Sequence, residues 1–204
     1  MSKLQTTNLS RRDFLKAAAG ATIAVAAAGS VLPNVGAGKA FAATSLADGT
    51  YKVNANLFIS KRIVLIGVNA YFTNPTDPND GNGIPSSPET GLNADLVVSG
   101  GKATVTVPLV NECFMLLSAK DGGGASVTGT ETKTATYKDE DNNDLTRITK
   151  ITFALDNMDG EYELGECSEY AAYQNPPFPM SMFVPGYLNW TATLAVDFST
   201  AVAV

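Results

Sequence analysis

The stretch "LNWTATLAVDF", residues 188–198, decides the fold class. Leu188, Trp190, Ala192, Leu194, Val196 and Phe198 share one side of a period-two alternation, and Asn189, Thr191, Thr193 and Asp197 share the other. Successive side chains of a strand point to opposite faces, so the run predicts a half-buried β-strand with Trp190 in the core. The same signal recurs toward the N-terminus. "GTYKVNANLFI" (49–59) puts Tyr51, Val53, Ala55, Leu57 and Ile59 on one face, with Lys52, Asn54 and Asn56 opposite. "NADLVVSGGKATVTVPL" (93–109) reads as a hairpin turning at Gly100-Gly101, with Ala103, Val105, Val107 and Leu109 inward. "TRITKITFALD" (146–156) points Ile151, Phe153 and Leu155 inward.

Turn residues at 121–124, 139–144 and 157–160 separate these runs, and helical periodicity is hard to find. The pattern predicts an all-β protein: an antiparallel immunoglobulin-like β-sandwich of seven to nine strands, with a barrel as the alternative. Residues 73–93, rich in proline and glycine, read as a long surface loop of variable or disordered character.

The first 42 residues have another nature. "SRRDFLK" (10–16) precedes an apolar run and the small-x-small site Ala40-Phe41-Ala42, the layout of a signal peptide. Arg11 and Arg12, followed by Phe14 and Leu15, match the twin-arginine export pattern, an address read by the Tat export machinery. The expected organisation is a signal peptide at 1–42 and one β-sandwich domain at 43–204.

The signal contains five of the 14 basic and one of the 20 acidic residues, which leaves the domain a formal charge of about −10. Such a surface repels nucleic acid and anionic lipid. Histidine is absent, so a Ser-His-Asp triad and the commonest zinc and haem ligand are excluded. The acidic loops at 77–83 and 139–144 do not fit a calcium-binding EF-hand, and no metal site is expected. No nucleophile elbow or phosphate loop occurs, and the chain is not expected to be an enzyme. Cys113 and Cys167 both lie in strand-like runs. An exported location permits a disulfide between them, and two buried free thiols are the alternative.

Two stretches, "ADGTYKVNANLF" (47–58) and "ADLVVSGGKATVTVPL" (94–109), resemble the opening of NEAT (near iron transporter) domains of bacterial surfaces. "VPGYLNWTATLAVDF" (184–198) is similar to the last hairpin of that family. The resemblance implies an immunoglobulin-like sandwich with a haem pocket beside the final hairpin. The family ligates iron through the first residue of a Tyr-x-x-x-Tyr motif there. The two corresponding positions here hold Gly186 and Trp190, with Tyr187 one residue along.

The segment 169–187 concentrates Tyr170, Tyr173, Phe178, Met180, Met182, Phe183 and Tyr187. Tyrosine and methionine are axial ligands available to haem iron, and aromatic rings cover a flat porphyrin. The competing reading is a proline-rich crossover that caps the open end of the sandwich. Asp159, Glu161, Glu163, Glu166 and Glu169 read as a solvated acidic face. The expectation is an exported binding module for haem or another apolar small ligand at the cell envelope, with other envelope proteins as further partners. The alternative is a non-catalytic surface domain that binds protein or glycan.

Overall fold

Gly49–Ile59 forms β1, and its alternation is realised as read: Val53, Ala55, Leu57 and Ile59 are buried and Tyr51 is half-buried. The computed structural model describes residues 45–59, 69–75, 85–111, 114–138, 142–171 and 186–204. Among them the further strands are β2 (Ala70–Tyr71), β3 (Ala94–Ser99), β4 (Lys102–Pro108), β5 (Phe114–Ser118) and β6 (Ala125–Lys138). β7 (Asp144–Leu155), β8 (Glu161–Ala171) and β9 (Gly186–Ala203) complete the set, and no helix occurs among the described residues.

The strands form one antiparallel sheet in the order β5-β8-β9-β1-β3-β4-β7-β6, with β2 paired to the end of β1. Its outermost strands, β5 and β6, are consecutive in the chain. Eight strands laid flat would separate the two edges by about 34 Å, whereas the link from Ser118 to Ala125 reaches about 25 Å at most. The sheet therefore curls. Its two halves enclose a single core to which every strand gives buried side chains, β6 through Ala125 at its start, and which includes Leu57, Leu96, Val105, Phe114, Phe153, Leu164 and Leu194. Phe72 stacks on Phe114 across the interior at 4.5 Å between ring centroids. The antiparallel all-β fold read from the sequence is thus present, with its layers supplied by one continuous sheet.

β3 and β4 make the expected hairpin. Ser99 pairs with Lys102, and Gly100 and Gly101 take φ of 57° and 76°, the left-handed pair that a two-residue turn of this hand requires.

The edge of β1 facing β3 is completed in an unexpected way. β3 covers Gly49–Val53 and β2 covers Phe58 and Ile59. Between them the Asn93 side chain acts as a strand: its Oδ1 accepts from Ala55 N–H at 2.9 Å and its Nδ2 donates to Ala55 C=O at 2.8 Å. Phe72 N–H then donates to Leu57 C=O at 2.9 Å. Backbone groups of a buried strand need partners, and side-chain amides supply them where no strand runs.

Asn56, expected on the outer, polar face of β1, is only 6 % exposed. Residues 85–93 return over this face, so the segment 73–93 is not a free surface loop at its described ends. Asn56 Oδ1 accepts from Thr73 Oγ1 and from Glu89 N–H, both at 2.8 Å, and Asn54 Nδ2 donates to Glu89 C=O and Gly91 C=O at 2.9 and 2.7 Å. Short polar side chains on β1 hold the loop down. The remainder, 76–84, lies outside the described residues.

A bulge in β8 corrects a further reading. Glu163 pairs with Thr193 and Glu166 with Thr191, so Leu164 and Gly165 together oppose Ala192. An extra residue reverses which side chains face inward. Before the bulge Tyr162 and Leu164 are buried and Glu161 and Glu163 exposed; after it Cys167 and Glu169 are buried and Glu166 exposed. Glu169 is therefore not part of the solvated acidic face.

Trp190 also departs from expectation. It shares the inward face of β9 with Ala192, Leu194, Val196 and Phe198, which are buried, yet it is 40 % exposed. Its strand parity is that of the core, but the cover of the core ends before it.

Candidate functional site

The bulge in β8 also determines what happens at the corner where β5, β8 and β9 meet. Tyr170 leaves the core face, as alternation past Cys167 and Glu169 demands, and is still only 2 % exposed. Its register partner on β5 is Met115, and its partner on β9 is Tyr187. Met115, Tyr170 and Tyr187 thus occupy one row across three adjacent strands. Met115 is buried too, and neither it nor Tyr170 belongs to the main core. A second, smaller apolar patch exists on the outer side of the sheet at this corner.

Of the seven residues expected to form a ligand site, this row contains Tyr170 and the backbone position of Tyr187. Tyr173, Phe178, Met180, Met182 and Phe183 lie outside the described residues, as do Arg11, Arg12, Phe14 and Leu15 of the export signal. Gly186 pairs with Ala171, so Tyr187 occupies the register of Tyr170 and Trp190 that of Cys167. As adjacent positions of one strand, Gly186 and Tyr187 therefore belong to opposite faces of β9. Sequence reasoning did not bring Met115 into this group. Only the β5–β8 register does so, because the residue stands far from the tyrosines in the chain.

A haem site needs an axial donor in a largely apolar setting. The row fits that donor chemistry with a tyrosine and a thioether, both buried. Among the described residues no group of three or more His, Cys, Asp or Glu is placed to hold a metal ion. A shallow groove of about 210 Å³ lies at the opposite edge of the sheet between Gly129, Glu131, Lys150 and Thr152, and none of the expected ligand residues lines it.

Cys167 is a buried free thiol whose Sγ donates to Gly165 C=O at 3.4 Å, and burial pushes its pKa up. Cys113 lies outside the described residues. Among the described residues Cys167 is a free cysteine. For Cys167, the packed-thiol alternative is the one realised.

Tyr162 belongs to the scaffold. Its phenol donates to Asn157 C=O at 2.7 Å and ties the β7–β8 turn to the core; burial raises its pKa to about 12. Arg147 is buried as well and donates from Nη1 to Leu109 C=O at 2.8 Å, where β4 ends.

Comparison with known proteins bears on the first part of the chain. A family model described as the ubiquitinol-cytochrome C reductase Fe-S subunit TAT signal matches residues 1–40. Neither a curated protein nor a solved structure gives a match. The chain is a Tat substrate: its twin-arginine signal is read by the Tat export machinery and directs it out of the cytoplasm. What is exported is an antiparallel all-β domain built on one curled sheet.

Proposed function

We propose that the exported domain is a NEAT-like binding module of the cell envelope, and that its ligand is haem or a comparably flat apolar molecule received at the β5–β8–β9 corner. The observation that carries the reading is the cross-strand row Met115–Tyr170–Tyr187. It collects a thioether and two tyrosine positions on one face, next to the aromatic and methionine-rich segment that joins β8 to β9. Export through the Tat pathway agrees with this, since that route suits a domain that folds, and loads a cofactor, before it leaves the cytoplasm. Tyr170 is buried, so a ligand reaches its phenol only when whatever buries it is displaced.

Haem titration of the exported protein tests the reading. Binding should shift the Soret band, and Tyr170→Phe or Tyr187→Phe should abolish the shift. No spectral change at micromolar haem would sink the haem assignment.

A second reading rests on Trp190. An aromatic ring 40 % exposed at the end of a core face is the kind of group that anchors a glycan or a protein partner. The domain would then be a non-catalytic interaction module. Glycan-array binding lost in Trp190→Ala, with haem inert, is the outcome that selects this reading.

A further inference from the structure

β6 is an edge strand. It pairs with β7 on one side, and no described strand pairs with its other side. Residues Thr128 to Thr132 are exposed throughout, so neither face of the strand is covered there. Natural edges are commonly blunted by bulges and charges, because an open row of N–H and C=O groups recruits other strands. β6 carries such devices at its ends: Thr128 is an extra residue against β7, and the register shifts again beyond Thr134. Between them the strand is regular from Gly129 to Thr134, since the shift near Glu131 places its extra residue, Thr149, on β7.

The direction of the open groups follows from one hydrogen bond. Thr149 Oγ1 donates to Glu131 C=O at 3.4 Å, so that carbonyl faces β7. Alternation along the strand then turns the N–H and C=O groups of Thr130 and Thr132 to the open side. This stretch is rich in threonine, a residue that favours strands.

We propose that this edge is an association surface for a second copy of the same chain, β6 against β6, antiparallel about a two-fold axis at Thr132. In that register Thr132 meets Thr132, and Thr130 meets Thr134 of the second copy, all as hydrogen-bonded pairs. Glu131 then stands opposite Lys133 of the second copy, twice by symmetry, as non-hydrogen-bonded pairs whose Cα atoms approach to about 4.5 Å. The sequence "TETKT" (130–134) is thus self-complementary in charge when reversed on itself. The opposite charges fix the register, and the open backbone groups supply the pairing, as in strand addition generally.

Sedimentation velocity on the exported protein, from micromolar to millimolar concentration, should show a concentration-dependent dimer. Lys133→Glu and Glu131→Lys each place like charges across both pairs and should weaken association about tenfold or more. Lys133→Glu also leaves the Glu131–Lys150 contact at 3.3 Å within the chain untouched, which separates the interface from that contact. The double exchange Glu131→Lys/Lys133→Glu should restore wild-type association. A protein that stays monomeric at millimolar concentration overturns the proposal. So does a dimer whose affinity is indifferent to the single reversals.

Discussion

Asn56 and Glu89 hold each other through both ends of one side-chain amide: Glu89 N–H donates to Asn56 Oδ1 at 2.8 Å, and Asn56 Nδ2 donates to Glu89 C=O at 2.9 Å. The amide plays the part of a neighbouring strand for a loop residue, and Thr73 Oγ1 adds a further bond to the same oxygen. Asn56→Ala removes these bonds and leaves the partly buried partners on Thr73 and Glu89 without acceptor or donor. The cost should be about 3 kcal/mol in urea unfolding, with faster hydrogen exchange at the Glu89 amide. A loss below about 0.5 kcal/mol would show that the amide does not seat the loop.

Tyr162 makes folding sensitive to alkali. Its phenol is held protonated by burial, with a pKa near 12 in the folded chain against 10.0 ordinarily. A group whose folded pKa is raised contributes fully below its unfolded pKa and loses that contribution as pH climbs through the folded value. The stabilisation is therefore intact below pH 10 and lost between about pH 10 and 12, to the extent of roughly 2 kcal/mol. Tyr162→Phe should cost about 1 kcal/mol at neutral pH, through the bond to Asn157, and should flatten the alkaline limb of a plot of Tm against pH. An unchanged limb in the variant would falsify the assignment.

Two glycines should respond differently to alanine. At Gly165 a Cβ would meet Asp121 C=O oxygen at 2.5 Å, because the β5–β6 connection crosses the β8 bulge there and Lys120 C=O accepts from Gly165 N–H. At Gly100 a Cβ meets nothing, and only the φ of +57° resists. Gly165→Ala should cost several-fold more than the roughly 1 kcal/mol expected of Gly100→Ala. Equal losses in thermal unfolding would contradict the close approach.

Cys167 should resist alkylation in the native state, since its thiol is buried and its pKa lies above the ordinary range. Peptide mapping after iodoacetamide treatment should find the Cys167 peptide modified only when denaturant is present. A Cys113–Cys167 linked peptide in the unreduced digest would refute the free thiol at Cys167.

Alternation carried most of the fold. β1, the β3–β4 hairpin, β7 and the second half of β9 could be read because each has one buried face and an uninterrupted period of two. The reading failed where that period breaks or where a second layer covers the polar face. Nothing local in "GECSEY" (165–170) announces that the bulge at Leu164-Gly165 has turned Glu169 inward and Tyr170 outward. The asparagines of β1 looked solvated because the loop that buries them lies more than thirty residues away. Trp190 looked buried because its parity is right, and parity does not say where the opposing half of the sheet stops. At the candidate site, the run of tyrosines and methionines was visible in the chain, whereas the place of Met115 beside Tyr170 depends on strand order alone.

The clamped ends of the segment after β2 have a practical corollary. Tyr71 N–H donates to Pro85 C=O at 2.9 Å and Asn74 Nδ2 to Ser87 C=O at 2.8 Å, so entry and exit are already fixed side by side. Closing a longer excursion between fixed ends costs only the logarithm of its added length. The domain therefore offers a splice point between residues 76 and 84, where a guest peptide can ride on a folded carrier out of the cytoplasm while the sheet beneath keeps its register.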